Sequence, residues 1–326
     1  MEFTCKEPKR LDSAMSEALE LPRNQIEKLI KTLGVTINGH VVKKSSTKLG
    51  GGEVISYDFA QAVETPSTYS IDFNIAILYE DDDLLIVNKP PFLTVHPAPS
   101  VKEATLVDWL KHKGISLSTI SGEERHGIVH RIDKETSGAL VIAKNNETHY
   151  ALSKQLEDKS MGRYYLALID LALKEDMVVD LPIARNPNHR LKMAVIKEGR
   201  AAKSAFSKLA LSKDGKKELI AAKLFTGRTH QIRVHLGALS RHIIGDSLYG
   251  FKSQNDTIPR VMLHAYILYL KHPKTGQMLQ VNAPLMEDFE AYLVKNFDKE
   301  QLHAKITSDS IIDRFDAVDH WVRKDT

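Results

Sequence analysis

The sequence of 326 residues contains a single cysteine, Cys5. One cysteine excludes an intramolecular disulfide framework and any cysteine-rich zinc site, so we expect packing alone to hold the fold. The chain also lacks a run of about 18 apolar residues, which a membrane-spanning helix would need. Its first residues have no apolar core of signal-peptide type. We therefore expect a cytoplasmic protein with no membrane partner.

Net charge is small as well, +3 over the whole chain, and by itself points to no partner. The hydrophobic fraction of 42% and the charged fraction of 27% exclude the disordered and fibrous classes. The charge is nevertheless uneven, because residues 181–252 carry fifteen lysines and arginines against four acidic residues, a local +11. Such a concentration favours binding to a phosphate backbone, although spread-out lysines often form only a solvated surface.

The most informative stretch reads HGIVHRIDKETSGAL and places one carboxylate, Asp133, among three nearby cations: His130, Arg131 and Lys134. An apolar, strand-like run precedes the carboxylate, and the short apolar segment 139–143 after it is typical of a buried strand. We therefore expect a loop between core strands to present Asp133. A carboxylate kept ionised by neighbouring cations suits a nucleophile or a general base. A surface ion pair is the simpler interpretation of an Asp near an Arg.

Residues 130–138, His-Arg-Ile-Asp followed by Thr-Ser-Gly, resemble the signature of RNA pseudouridine synthases of the RluA type. In that family the aspartate is catalytic, which implies this role for Asp133. A basic-x-Tyr-x-Ala pattern implies a functional Tyr165 and places Tyr164 on the opposite face of a strand. The block GRTHQIRVH at residues 227–235 matches a further family motif. Its first arginine, Arg228, is implied to pair with Asp133.

The same motifs imply further contacts to substrate. Arg131 is expected to fill the space left by a flipped base or to grip a neighbouring phosphate, and the other implied contacts are His130, Thr136, His230, Gln231 and Arg233. Alternating apolar residues at 232, 234 and 236 indicate a strand, for which a charged edge strand is the alternative interpretation. Two histidines in this block could also indicate a metal site, but no acidic or cysteine cluster accompanies them and the family uses no metal.

The resemblance implies an α+β catalytic domain with a mixed, mainly antiparallel sheet and a central cleft, which we place at residues 73–298. Residues 61–72 contain a proline and lack apolar periodicity, so we interpret them as a linker. Sequence assigns no role to the tail at residues 299–326.

Residues 1–60 contain two short helical patterns and the hairpin signal Asn38-Gly39. They resemble the small RNA-binding module named for ribosomal protein S4. The positions implied to face RNA are Arg10, Arg23, Lys28, Lys43, Lys44 and Lys48. For each of them taken singly, solvated surface is the simpler interpretation; together on one module they favour phosphate contact.

Taken together, the resemblances imply isomerisation of uridine to pseudouridine in structured RNA by a base-flipping mechanism. We expect large-subunit ribosomal RNA as the substrate, no cofactor, no DNA partner and a monomer. Three alternatives stay open: a transfer-RNA substrate, a catalytically silent RNA-binding assembly factor, and a hydrolase of nucleosides. The hydrolase would need a second carboxylate near Asp133, and we expect none. Whether Asp133 acts on the sugar or on the base is not decided by the sequence.

Overall fold

A computed structural model describes residues 1–19, 21, 23–58, 69–98, 100–120, 125–250 and 258–325. Most of the expected linker, residues 61–68, lies outside these ranges, and residues 69–72 form neither helix nor strand. Within the described ranges, no helix has the length and apolar character needed to cross a bilayer.

The N-terminal module has its own small core. Its elements are β1 (Glu2–Thr4), β2 (Lys9–Arg10), α1 (Leu11–Ala18), α2 (Arg23–Thr32), β3 (Val35–Ile37), β4 (His40–Val42), β5 (Lys48–Leu49) and β6 (Val54–Ser56). Asn38 and Gly39 have φ values of +46° and +85°, the left-handed conformations that a tight hairpin turn between β3 and β4 requires. Both helices and the hairpin predicted from sequence are confirmed.

The larger domain is built on one ten-stranded sheet in the order β18-β11-β14-β15-β10-β16-β9-β8-β7, with β17 paired to β16. Its strands are β7 (Ala76–Glu80), β8 (Leu84–Lys89), β9 (Ser137–Ala143), β10 (Gly162–Ile169), β11 (Met177–Asp180), β14 (Lys203–Leu211), β15 (Glu218–Leu224), β16 (Leu263–Lys271), β17 (Met278–Asn282) and β18 (Val322–Asp325). A separate hairpin joins β12 (Ile183–Arg185) to β13 (Met193–Val195). The described pairs β9–β16 and β11–β18 are parallel, and the others are antiparallel.

Helices cover parts of this sheet and close its ends: α3 (Leu106–His112), α4 (Asn146–Asp158), α5 (Gln231–Ala238), α6 (Glu287–Asn296), α7 (Lys299–Lys305) and α8 (Ser308–Arg314), followed by a 3₁₀ turn (Phe315–His320). The predicted α+β class with a mixed, mainly antiparallel sheet is confirmed.

The expected strand around residue 232 is wrong, because the segment forms helix α5. Every residue from Gln231 to Leu236 is buried, so alternation of apolar and polar side chains does not separate a core face from a solvent face. The polar members are satisfied inside the protein instead. His235, for example, lies 2.9 Å from the Ser204 hydroxyl through Nδ1 and 3.0 Å from the Leu181 carbonyl through Nε2.

Residues 299–325 are an integral part of the larger domain and not a separate tail. Ile311 and Phe315 are buried in the main core, and β18 extends the large sheet beside β11. The Phe315 ring lies 5.2 Å from the ring of Tyr164 and 5.1 Å from that of Trp321. This segment therefore supports β10 from the face opposite Tyr165.

Phe315→Ala should lower the free energy of unfolding by about 3 to 5 kcal/mol, because it removes a buried aromatic ring and leaves a cavity. Urea denaturation followed by circular dichroism would measure the change. Val294, which is 60% exposed, provides the control substitution Val294→Ala. Equal losses in the two variants would show that residues 299–325 contribute no core packing.

Candidate active site

A cavity of about 340 Å³ lies over the middle of the sheet. Its walls come from the loop before β9, from β10, from the loop after β15 and from α5. The described side chains with reactive or charged groups in this lining are His130, Arg131, Asp133, Arg163, Tyr165, Arg228, His230 and Arg233. The central cleft expected from the sequence is therefore present, and it gathers residues from all three motifs of the larger domain.

Asp133 lies in a loop whose ends are fixed by the core. Ile132 is buried beside it, and the Thr136 amide donates to the Asp133 carbonyl oxygen at 3.1 Å. Gly138 then has φ +115°, and a Cβ there would lie 2.3 Å from the Ala265 carbonyl oxygen. Only glycine permits this close approach of β9 to β16. The preceding apolar run is not a strand, since it makes a single bridge between Ile128 and Ile142.

Lys89 also holds the Asp133 loop in place, and sequence reasoning missed its role. Its side chain is fully buried, and Nζ donates to the carbonyls of Pro90, Leu93 and Lys134 at 2.7, 2.9 and 3.1 Å. Burial lowers the pKa of Lys89 to about 7, although the nearby Asp133 charge opposes the shift. Lys89 lies at the end of β8, in an Asn-Lys-Pro sequence to which no side-chain role was assigned from sequence.

Arg233 binds the Asp133 carboxylate. Its Nη1 donates to Asp133 Oδ2 at 3.1 Å, while Nε and Nη2 donate to the two oxygens of Asp246 at 2.7 and 2.8 Å. The side chain of Arg233 is 6% exposed, and that of Asp246 is 1% exposed. Burial would lower the pKa of Arg233, but the bonds to Asp246 and the charges of both carboxylates raise it above its ordinary value. The result is a charge-assisted network with fixed geometry.

The expected pairing of Arg228 with Asp133 is wrong. Arg228 Nε donates to the Ala201 carbonyl at 3.0 Å, and its amide donates to Gln231 Oε1 at 2.9 Å. Because α5 is a helix that begins after Arg228, it is Arg233 that projects from the buried helix towards Asp133. Arg228 still lines the cavity.

The cations next to Asp133 in the sequence do not surround it in space. His130 is buried, its Nε2 accepts from the Val141 amide, and burial lowers its pKa well below the ordinary value, so the ring is neutral. Arg131 is exposed at the rim, with Nη1 3.4 Å from Nε2 of His96. Lys134 forms an ion pair with Glu103. The expectation that these three cations crowd the carboxylate is therefore wrong.

The other sequence-predicted contacts lie at the cavity wall. Thr136 is buried there. His230 has Nε2 3.9 Å from Asp133 Oδ2, and burial lowers its pKa, so it is neutral at neutral pH. Gln231 Nε2 donates to the Lys203 carbonyl and the Ser204 hydroxyl, which anchors the start of α5.

Tyr165 lines the cavity, whereas Tyr164 packs against Tyr269 and Phe315 on the other side of the sheet. The predicted opposite orientation of the two tyrosines is confirmed. Burial raises the pKa of Tyr165, so its hydroxyl is protonated at neutral pH.

A second carboxylate lies close to Asp133, contrary to expectation. Asp246 binds the opposite side of Arg233, and its Oδ1 also accepts from the amides of Leu248 and Tyr249 at 3.0 and 2.9 Å. With its oxygens engaged in this way, Asp246 positions Arg233 and is not available as a free acid or base.

Among the described residues, one group of side chains has the ligand types and the spacing that could bind a metal ion: Asp81, Asp83 and His272. His272 Nε2 lies 2.7 Å from Asp81, and its Nδ1 accepts from the amides of Lys274 and Thr275. These contacts close turns at the ends of strands, and none of the three residues lines the cavity.

The RNA-facing positions implied for the N-terminal module divide into two groups. Arg10 and Arg23 both donate to Asp12, a fully buried carboxylate, while about half of each arginine side chain stays exposed. Hydrogen bonds from Arg10, opposed by burial and strengthened by Arg23, lower the pKa of Asp12 to about 2. The remaining positions are exposed lysines: Lys28, Lys43, Lys44 and Lys48.

Comparison with known proteins identifies two family models in the chain. A model described as RNA pseudouridylate synthase matches residues 83–238, and the S4 domain model matches residues 9–55. A protein of Helicobacter pylori strain J99, an uncharacterized RNA pseudouridine synthase, is 48% identical over 315 residues, which cover 94% of this chain and 96% of that protein. The ribosomal large subunit pseudouridine synthase D of Nitrosomonas europaea is 37% identical over 292 residues, covering 87% and 83%.

Solved structures agree in fold. The human RNA pseudouridylate synthase domain containing 1 superposes with a TM-score of 0.56 at 24% identity, covering 72% of this chain and 96% of that one.

Asp12→Asn should lower the free energy of unfolding by roughly 3 kcal/mol at pH 7, because it leaves two arginines bound to a neutral amide. The folded pKa of Asp12 lies below its unfolded value, so its stabilisation is present above pH 4 and is lost as the pH falls towards 2. Denaturation at several pH values should show the gap between wild type and variant narrowing over that range. A gap independent of pH would contradict an ionised, paired Asp12.

Proposed function

The chain belongs to the RNA pseudouridine synthase family, and we propose that its substrate is large-subunit ribosomal RNA, in which it isomerises particular uridines to pseudouridine. The observation that carries the chemistry is the Asp133 carboxylate, which lines the cavity, is 18% exposed and is bound by buried Arg233. The ribosomal substrate is supported by relatives named ribosomal large subunit pseudouridine synthase D, which are 34% to 37% identical.

The reaction detaches uracil from ribose at a ring nitrogen and reattaches it through a ring carbon. Asp133 lies inside a cavity and not on an exposed surface, so a uridine stacked in a stem cannot reach it and must flip out, which costs a few kcal/mol of unstacking. Asp133 then meets the sugar or the base at the cavity floor. Arg233, which donates to Asp133 Oδ2, keeps the carboxylate oriented during this step.

Tyr165 is placed to contact the ring of the flipped uracil. Because its hydroxyl is protonated before the reaction, it serves as a hydrogen-bonding and proton-exchanging group and not as a standing phenolate. Arg131, exposed at the rim, is suited to the space that the base vacates or to a flanking phosphate.

A role as a silent RNA-binding factor is disfavoured by the same geometry. A protein that only binds a polyanion gains nothing from a carboxylate that a buried arginine orients in its cleft. A nucleoside hydrolase that used Asp246 as its second acid is disfavoured, because Asp246 is occupied by Arg233 and two backbone amides.

Incubation of the protein with unmodified large-subunit ribosomal RNA should produce pseudouridine at discrete positions, which mass spectrometry of nuclease fragments would detect. Asp133→Asn should reduce the single-turnover rate by roughly a thousandfold or more, since an amide cannot act as the nucleophile or the base, and should leave RNA affinity nearly unchanged. Asp82→Asn, at an exposed position, is the matched control. Conversion of transfer RNA in place of ribosomal RNA would refute the proposed substrate, and an active Asp133→Asn variant would refute the chemistry.

Arg233→Met should reduce the rate by about a hundredfold to a thousandfold, the usual loss when a fixed charge at a reaction centre is removed. Arg228→Met is the matched control, because both arginines line the cavity but Arg228 does not bind Asp133. We expect it to weaken RNA binding with a smaller effect on the rate at saturating RNA. Equal rate losses in the two variants would contradict the assignment of Arg233, and not Arg228, as the arginine that supports Asp133.

A further inference from the structure

Arg163 is a buried charge in the cavity wall, and among the described residues it has no counter-ion. It lies on β10 two residues before Tyr165, and both side chains line the cavity. Arg163 is 7% exposed, and its Nη1 lies 2.5 Å from Nδ1 of His130. Its Nε has no hydrogen-bond partner within the described chain, and no described carboxylate lies within ion-pair distance of it.

Other buried arginines of this protein are compensated. Arg233 binds both oxygens of Asp246, and Arg260 binds both oxygens of Asp288. Within the part of the chain that the structure describes, the side-chain partner of Arg163 is His130, which is neutral. An arginine cannot release its proton at accessible pH, so burying it alone costs several kcal/mol. A charge kept at this cost beside the reactive residues is expected to meet negative charge that appears only during the reaction.

The isomerisation supplies such a charge by each of the routes open to Asp133. If Asp133 bonds to C1′, the electron pair of the broken C1′–N1 bond moves into uracil. If it removes the proton at C2′, a C1′=C2′ double bond forms and the same pair leaves with uracil. If it adds to C6, the electrons of the C5=C6 bond move to O4. Each route leaves uracil anionic, with the charge on its carbonyl oxygens.

We propose that Arg163 is a catalytic residue, whose guanidinium donates to a carbonyl oxygen of the flipped uracil and stabilises the negative charge that the ring acquires. This inference rests on the proposed function. The isomerisation needs no co-reactant: one C1′–N1 bond breaks, one C1′–C5 bond forms, C5 loses a proton and N1 gains one. A backbone phosphate is the less fitting partner for Arg163, because exposed Arg131 and half-buried Arg228 at the cavity lie nearer to solvent.

Arg163→Met keeps the volume of the side chain and removes the charge. We expect the single-turnover rate at saturating ribosomal RNA to fall by about a hundredfold or more, with the melting temperature unchanged or higher and RNA affinity within about twofold. Arg163→Lys, which keeps a charge without the guanidinium fork, should recover part of the rate. A melting temperature that falls together with the rate would show a structural role instead. A weakened affinity with a normal rate at saturation would show a phosphate contact. Either result overturns the proposal.

RNA containing 2-thiouridine or 4-thiouridine at the target position gives a second, atom-resolved test. Sulfur accepts hydrogen bonds more weakly than oxygen, so one of the two substitutions should slow the wild-type protein. The same substitution should have little further effect on Arg163→Met, because the contact is already absent. Equal thio effects in the two proteins would overturn the role of Arg163. If the wild-type protein does not convert unmodified RNA, the proposed function is refuted. If it does convert that RNA but the thio effects are equal in the two proteins, only the role of Arg163 is refuted.

Discussion

The guanidinium of Arg233, shared between Asp246 and Asp133, is the interaction on which the active site depends. Two parallel bonds to Asp246 fix the plane of the guanidinium, and Nη1 is then aimed at Asp133. Asp246 is itself fixed by the backbone amides of Leu248 and Tyr249. The reactive carboxylate is thus oriented before substrate arrives, and little reorganisation is left for the reaction itself.

The rest of the domain brings this network to its place. Helix α5 must be buried for Arg233 to reach inward, and Gln231 anchors its first turn to β14. Lys89 holds the Asp133 loop in place. Its Nζ donates to one carbonyl in that loop and to two carbonyls in the loop after β8. Residues 299–325 pack Phe315 against Tyr164, so the strand that carries Arg163 and Tyr165 is supported on the face opposite the cavity.

Sequence predicted the elements that have a local signal of their own. Asn38-Gly39 forms the predicted hairpin turn, the short apolar segment after Asp133 forms strand β9, and Tyr164 and Tyr165 lie on opposite faces of strand β10. Helix α5 was mistaken for a strand because a segment buried on all sides carries no periodic signal of exposure.

Ion-pair partners were predicted poorly for a different reason. Proximity in the chain placed His130 and Lys134 beside Asp133, yet the loop turns them towards Arg163 and Glu103. Partner choice is set by which elements meet in the folded protein, and here a helix a hundred residues further along the chain supplies Arg233. Arg10 and Arg23 were likewise predicted to contact RNA, and their hydrogen bonds to Asp12 were not predicted.

The central claim is that Asp246 acts on Asp133 only through Arg233, and a double-mutant cycle tests it most directly. Single-turnover rates on ribosomal RNA would be measured for Asp246→Asn, Arg233→Met and the double variant. The account predicts that Asp246→Asn slows the reaction without weakening RNA binding, and that the double variant is no slower than Arg233→Met alone. Rate losses that multiply in the double variant would contradict it, because they would show that the two residues act independently.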